Sequence, residues 1–87
     1  MNKKEKYYNY VVNDLVSKTE IDNDQEKIKF PFLLPTPIFL NYHLTPLLST
    51  PLSPSFIKYV KTRYGAHDGE IKIIWNLYKE RIHSLIK

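Results

Sequence analysis

The chain has 87 residues, a net charge of +4, six prolines, two glycines and no cysteine. That length holds one small domain at most, and the missing cysteines exclude a disulfide framework, Cys-based zinc sites and thiol chemistry. Two glycines, Gly65 and Gly69, cannot build a phosphate-binding loop or a dinucleotide fingerprint, so those nucleotide-binding classes are excluded as well.

Charge divides the chain into three regions of one small chain rather than independent domains. Residues 1–29 hold six lysines and six acidic residues, residues 30–57 hold no Asp, Glu, Lys or Arg, and residues 58–87 hold seven basic against three acidic residues. The start, Met1 to Lys6, is basic but lacks the apolar core of a secretory leader and the Arg- and Ser-rich character of a transit peptide. No cleaved leader is expected from it.

The spacing of Tyr8, Val11, Val12 and Leu15 predicts a helix over residues 4–18, with Tyr7, Tyr10 and Val16 widening its apolar face. Residues 19–26 are polar and acidic, with Asp22, Asn23 and Asp24 as turn formers, and read as a solvated loop. Lys27, Ile28, Lys29 and Phe30 alternate charge and bulk, which predicts a short strand or extended edge.

The uncharged region follows. It carries all six prolines, and fourteen of its 28 residues are Phe, Leu, Ile or Tyr. The prolines forbid one long helix, and no spanning segment survives them. The Thr36-Pro37, Thr45-Pro46, Thr50-Pro51 and Ser53-Pro54 steps favour extended geometry at the residue before each proline. The expectation is an extended apolar ribbon whose side chains need a surface outside the chain.

Ser53 as N-cap and Pro54 at the first helical position predict a helix running to about Tyr64, ended by Gly65. Asp68 is the expected cap of a second helix reaching about Ile86. Ile71, Ile74, Trp75, Tyr78, Ile82, Leu85 and Ile86 share one stripe of it, while Ile73 and Leu77 lie nearly opposite. The fold expectation is therefore a mainly α chain with little regular tertiary core of its own: an N-terminal helix, a Pro-rich extended segment and a C-terminal helix-turn-helix-like hairpin.

No catalytic constellation emerges. His43, His67 and His83 are scattered, and neighbours such as His67, Asp68 and Glu70 in a tight turn point apart rather than converging. Asp22, Asp24 and Glu26 resemble the opening of a calcium loop, but Lys27 and Leu33 stand where that loop needs Gly and Glu. The reading is of a non-enzyme without cofactor, metal or small-molecule substrate.

For nucleic acid, Lys72, Asn76, Lys79 and His83 share the polar side of the last helix, with Lys58, Lys61 and Arg63 on the helix before it and the aromatic Tyr59, Tyr64 and Tyr78 close by. Two arginines and a charge of +4 are small for a reader of phosphates and bases. The Tyr and Trp content suits protein interfaces and lipid headgroup regions alike.

The favoured expectation is a non-catalytic accessory subunit of a large assembly. Its partner-binding residues are Tyr8, Leu15, Phe32, Leu47, Leu48, Phe56, Ile73, Trp75, Leu77 and Tyr78. Lys, Ile, Asn, Tyr and Phe, the residues of AT-rich codons, make up 37 of the 87 positions. With the uncharged ribbon, this points to a mitochondrial, membrane-associated energy-converting complex with protein neighbours and lipid contact. The alternatives are an organellar ribosomal protein and a small helix-turn-helix or phage-type regulator.

Overall fold

A computed structural model describes residues 3–33, 35–44 and 46–86. Helix α1 spans Lys3–Ser17, followed by strands β1 (Glu20–Asp22), β2 (Lys27–Lys29) and β3 (Phe39–Asn41). A 3₁₀ turn (Leu47–Ser49) leads to α2 (Pro54–Tyr64) and α3 (Asp68–Leu85). The readings of Met1, Asn2 and the Thr45-Pro46 step lie in part outside the described residues.

The helices form where periodicity and capping place them. The Ser53 hydroxyl accepts from the Ser55 amide at 3.2 Å, Pro54 opens α2, and Gly65 closes it in the left-handed region at φ 65°. Only glycine takes that conformation without a side-chain penalty. The next cap differs from expectation by one residue. His67 is the N-cap of α3, and its amide donates to the Glu70 carboxylate at 3.2 Å. Asp68 instead forms an ion pair with Lys61 at 2.6 Å across the α2–α3 corner.

The expected mainly α chain with an extended apolar segment is overturned. The fold is α+β, with three helices and a three-stranded antiparallel sheet in the order β1-β2-β3. The residues read as a solvated acidic loop make β1 and the turn into β2, with Glu26 in the left-handed region at φ 56°. The short strand expected from Lys27 onward forms as β2 and lies at the centre of the sheet. Ile28 faces Ile21 on one side and Leu40 on the other, giving the sheet one apolar row toward the core. Opposite charges pair across β1 and β2, Glu20 with Lys29 and Asp22 with Lys27.

The uncharged region supplies β3, the 3₁₀ turn and much of the core. Phe30, Phe32, Tyr42, Leu47 and Phe56 from it are buried beside Val11, Val12 and Leu15 of α1 and Ile71, Ile74, Trp75, Tyr78 and Ile82 of α3. Phe32 is the hub of an aromatic cluster. Its ring lies 5.2 Å from Phe30, 5.1 Å from Phe56, 5.9 Å from Trp75 and 6.0 Å from Tyr78, mostly edge to face. Such pairs each add about 0.5–1.5 kcal/mol beyond area burial. The apolar faces of the helices and the greasy proline segment thus cover one another.

Polar contacts close the remaining seams. The hydroxyls of Thr19 and Tyr78 meet at 2.7 Å, and Arg81 donates to Asn13 at 2.7 Å, joining α1 and its end to α3. Lys79, only 9% exposed, donates to the carbonyls of Leu48 at 3.1 Å and Thr50 at 3.2 Å. Trp75 Nε1 reaches the same Thr50 carbonyl at 3.4 Å. Together they clamp the 3₁₀ turn onto α3. Among the described residues, no buried side-chain nitrogen or oxygen lacks a hydrogen-bond partner. No described helix is long and apolar enough to cross a membrane.

Asp14 joins α1 to the end of α2. It accepts from Lys18 at 2.8 Å and from the Tyr64 hydroxyl at 2.6 Å. These bonds, Lys18 first, hold its carboxyl below the usual range, while burial and then the bond to Asp14 push the Tyr64 phenol up. A carboxyl with a lower pKa folded than unfolded stabilises fully above its unfolded pKa of about 3.9, and that contribution disappears as pH falls through the folded value. Asp14→Asn should therefore be less stable than the parent at neutral pH, with the gap closing on acidification below about pH 4. Urea unfolding across that range measures it; a gap independent of pH would remove Asp14 from the acid response.

Candidate functional site

On the outer side of α2 lies an open groove of about 560 Å³, lined by Phe32, Ser55, Lys58, Tyr59, Thr62 and Arg63. Five of these six come from α2, at positions that wind along one side of the helix and leave Phe56 and Val60 for the core. Phe32 reaches the groove floor from the segment after β2. The floor is aromatic, and the rim carries two cations and two hydroxyls.

The electrostatics of α2 are one-signed. It contains Lys58, Lys61 and Arg63 and no Asp or Glu. Lys61 is matched by Asp68. The Arg63 guanidinium lies over the Tyr59 ring, 5.6 Å from its centroid. Arg63 also helps to lower the pKa of Asp14, whose oxygens are already taken by Lys18 and Tyr64. Among the described residues, no ion pair engages Lys58 or Arg63.

No His, Asp or Glu lines the groove beside Ser55 or Thr62. No three His, Cys, Asp or Glu residues cluster with metal-binding geometry among the described residues. What the arrangement can do is hold an apolar group against Tyr59, over the buried Phe32, while an anionic group meets Lys58 and Arg63.

The residues expected to bind partners divide by position. Leu15, Phe32, Leu47, Phe56, Trp75 and Tyr78 are buried in the chain's own core, and Tyr8 is half-buried against it. Leu48, Ile73 and Leu77 are exposed. Ile73 and Leu77 stand one turn apart on α3 and make a small apolar stripe, as their off-stripe spacing predicts. Further large apolar side chains at the surface are Tyr10, Ile38, Phe39, Leu44 and Leu85, with Leu44 the most open at 83%.

Of the polar face expected on the last helix, Lys72, Asn76 and His83 are exposed, but Lys79 points its ammonium inward. The sequence marks Lys58, Lys61, Arg63 and Tyr59 as a basic and aromatic group. It does not place Phe32 beneath them, because that contact joins residues far apart in the chain. Spacing alone could have found the α2 side of the groove: Ser55, Lys58, Tyr59 and Thr62 recur at helical intervals.

The chain matches no protein-family model, no curated protein and no solved structure.

Proposed function

We propose that this chain is a non-catalytic docking subunit, a small closed domain that presents a binding face to a larger protein assembly. The observation that carries this reading is the α2 groove, where the Tyr59 ring and two cations engaged in no ion pair among the described residues, Lys58 and Arg63, line an open surface beside a filled core. The exposed Ile73–Leu77 stripe on α3 supports it as additional apolar contact area.

The finer expectation of a mitochondrial membrane energy-converting complex, with an organellar ribosome as its alternative, keeps only the AT-leaning composition behind it. The uncharged region argues less for a membrane neighbour than its composition did, since Phe30, Phe32, Tyr42, Leu47 and Phe56 go into the chain's own core, while Ile38, Phe39, Leu44 and Leu48 stay exposed. The docking role is what the geometry supports best.

Native size tests the reading. The tagged protein, extracted gently from its own host, should elute far above its 10.4 kDa and return toward that mass in a Lys58→Glu/Arg63→Glu variant. Lys27→Glu, on the mixed-charge outer face of the sheet, should leave the large species intact. Elution of the parent at its own mass would overturn the proposal. Mass spectrometry of what co-elutes distinguishes a respiratory complex from a ribosome.

A further inference from the structure

Given that docking role, on which this inference rests, we propose that the occupant of the α2 groove is an acidic amphipathic helix of a protein partner. The dimensions fit. Ser55 to Arg63 covers eight steps along α2, about 12 Å at 1.5 Å per residue, which is a little over two turns of a second helix laid alongside. An open channel next to an existing helix suits a helix-in-groove mode, with large apolar side chains at i and i+4 as anchors.

The chemistry fits as well. The half-buried Tyr59 ring offers aromatic surface to those anchors, with the buried Phe32 beneath it. Lys58 and Arg63 flank them in no ion pair among the described residues, Arg63 lying over the Tyr59 ring and acting on Asp14 beyond ion-pair distance, and α2 itself has no acidic residue to compete. A partner bearing Asp or Glu beside its apolar anchors supplies the missing charge, and the protein's net +4 favours its approach.

A nucleic acid fits less well. Phosphate binding draws on several cations along a continuous track. Of the cations on α2 and α3, three are already engaged: Lys61 is paired with Asp68, Lys79 is turned onto backbone carbonyls, and Arg81 is bound to Asn13. Two cations around an aromatic floor match one or two carboxylates better than a phosphate chain.

The experiment selects binders from a displayed library of randomised helical peptides, each about 15 residues or four turns long. The parent protein is run beside Lys58→Glu/Arg63→Glu, with far-UV circular dichroism showing that both are folded. Enriched peptides should be net acidic with Leu, Phe or Trp at i and i+4. A synthesised winner, fluorescein-labelled, should bind the variant about tenfold or more weakly by anisotropy. Failure to enrich, enrichment of neutral or basic peptides, or equal binding to the variant would each overturn the proposal. So would tighter binding of a labelled oligothymidine than of any selected peptide, which would assign the groove to nucleic acid. If selection fails while the variant still loses the large native species, the docking role stands and only the acidic-helix occupant is rejected.

Discussion

Phe56→Ala should lower stability by about 3–5 kcal/mol, the cost of removing a fully buried aromatic side chain and leaving a cavity. Phe56 has no exposed surface, and its ring sits 4.6 Å from Trp75, 5.1 Å from Phe32 and 5.8 Å from Tyr78. Its loss leaves three other rings without a neighbour on one side. Domains of this size have a total stability of about 5–15 kcal/mol, so this single change removes a large part of it. The urea midpoint should fall by roughly 1–3 M, followed by Trp75 fluorescence and far-UV circular dichroism together. Coincident transitions are expected from both probes. A small shift would mean that the aromatic cluster does not hold the isolated chain together, and that its folding depends on a partner.

The second large effect separates two adjacent leucines. Leu47 is 8% exposed and belongs to the core, while its neighbour Leu48 is 50% exposed. Leu47→Ser both empties apolar volume and places a hydroxyl in the core, and should cost about 2–5 kcal/mol. Leu48→Ser should stay within about 0.5 kcal/mol of the parent. The clamp from Lys79 uses the Leu48 carbonyl and is indifferent to its side chain. Chemical unfolding of the two variants under identical conditions decides the matter. Equal, small effects would return the uncharged region to the role of a detachable ribbon.

The contrast between these leucines also explains what was legible in the sequence. The three helices were, because their signals are local: the Tyr8–Val11–Val12–Leu15 stripe, the Ser53-Pro54 start with its Gly65 stop, and the long Ile71-to-Ile82 face. Of the sheet only β2 was, through the alternation of Lys27, Ile28, Lys29 and Phe30. β1 and β3 have three residues each, too few for a pattern to stand out, and β1 places one isoleucine between two acids.

The role of the uncharged region was misread for a different reason. Its apolar side chains and the broad apolar helix faces each looked unpartnered when taken separately. Phe32 and Leu47 show that they are partners of each other, a contact across more than 40 residues to Trp75 in the first case. Local patterns do not carry such pairings. The groove was legible by half: the cations of α2 stand out in the sequence, and the floor that makes them a site comes from that same unseen long-range packing.

The placement of α3 has a consequence for how the protein is made. Its Trp75, Tyr78 and Ile82 cover side chains that all precede them in the chain. During synthesis at about 5–20 residues per second, the stretch up to residue 57 therefore waits roughly one to five seconds for residue 82 to be added. Throughout that interval Phe30, Phe32, Leu47 and Phe56 have α1 but not the Trp75, Tyr78 and Ile82 surface that completes their burial. An unfinished core of that kind exposes apolar surface that favours aggregation until α3 is in place.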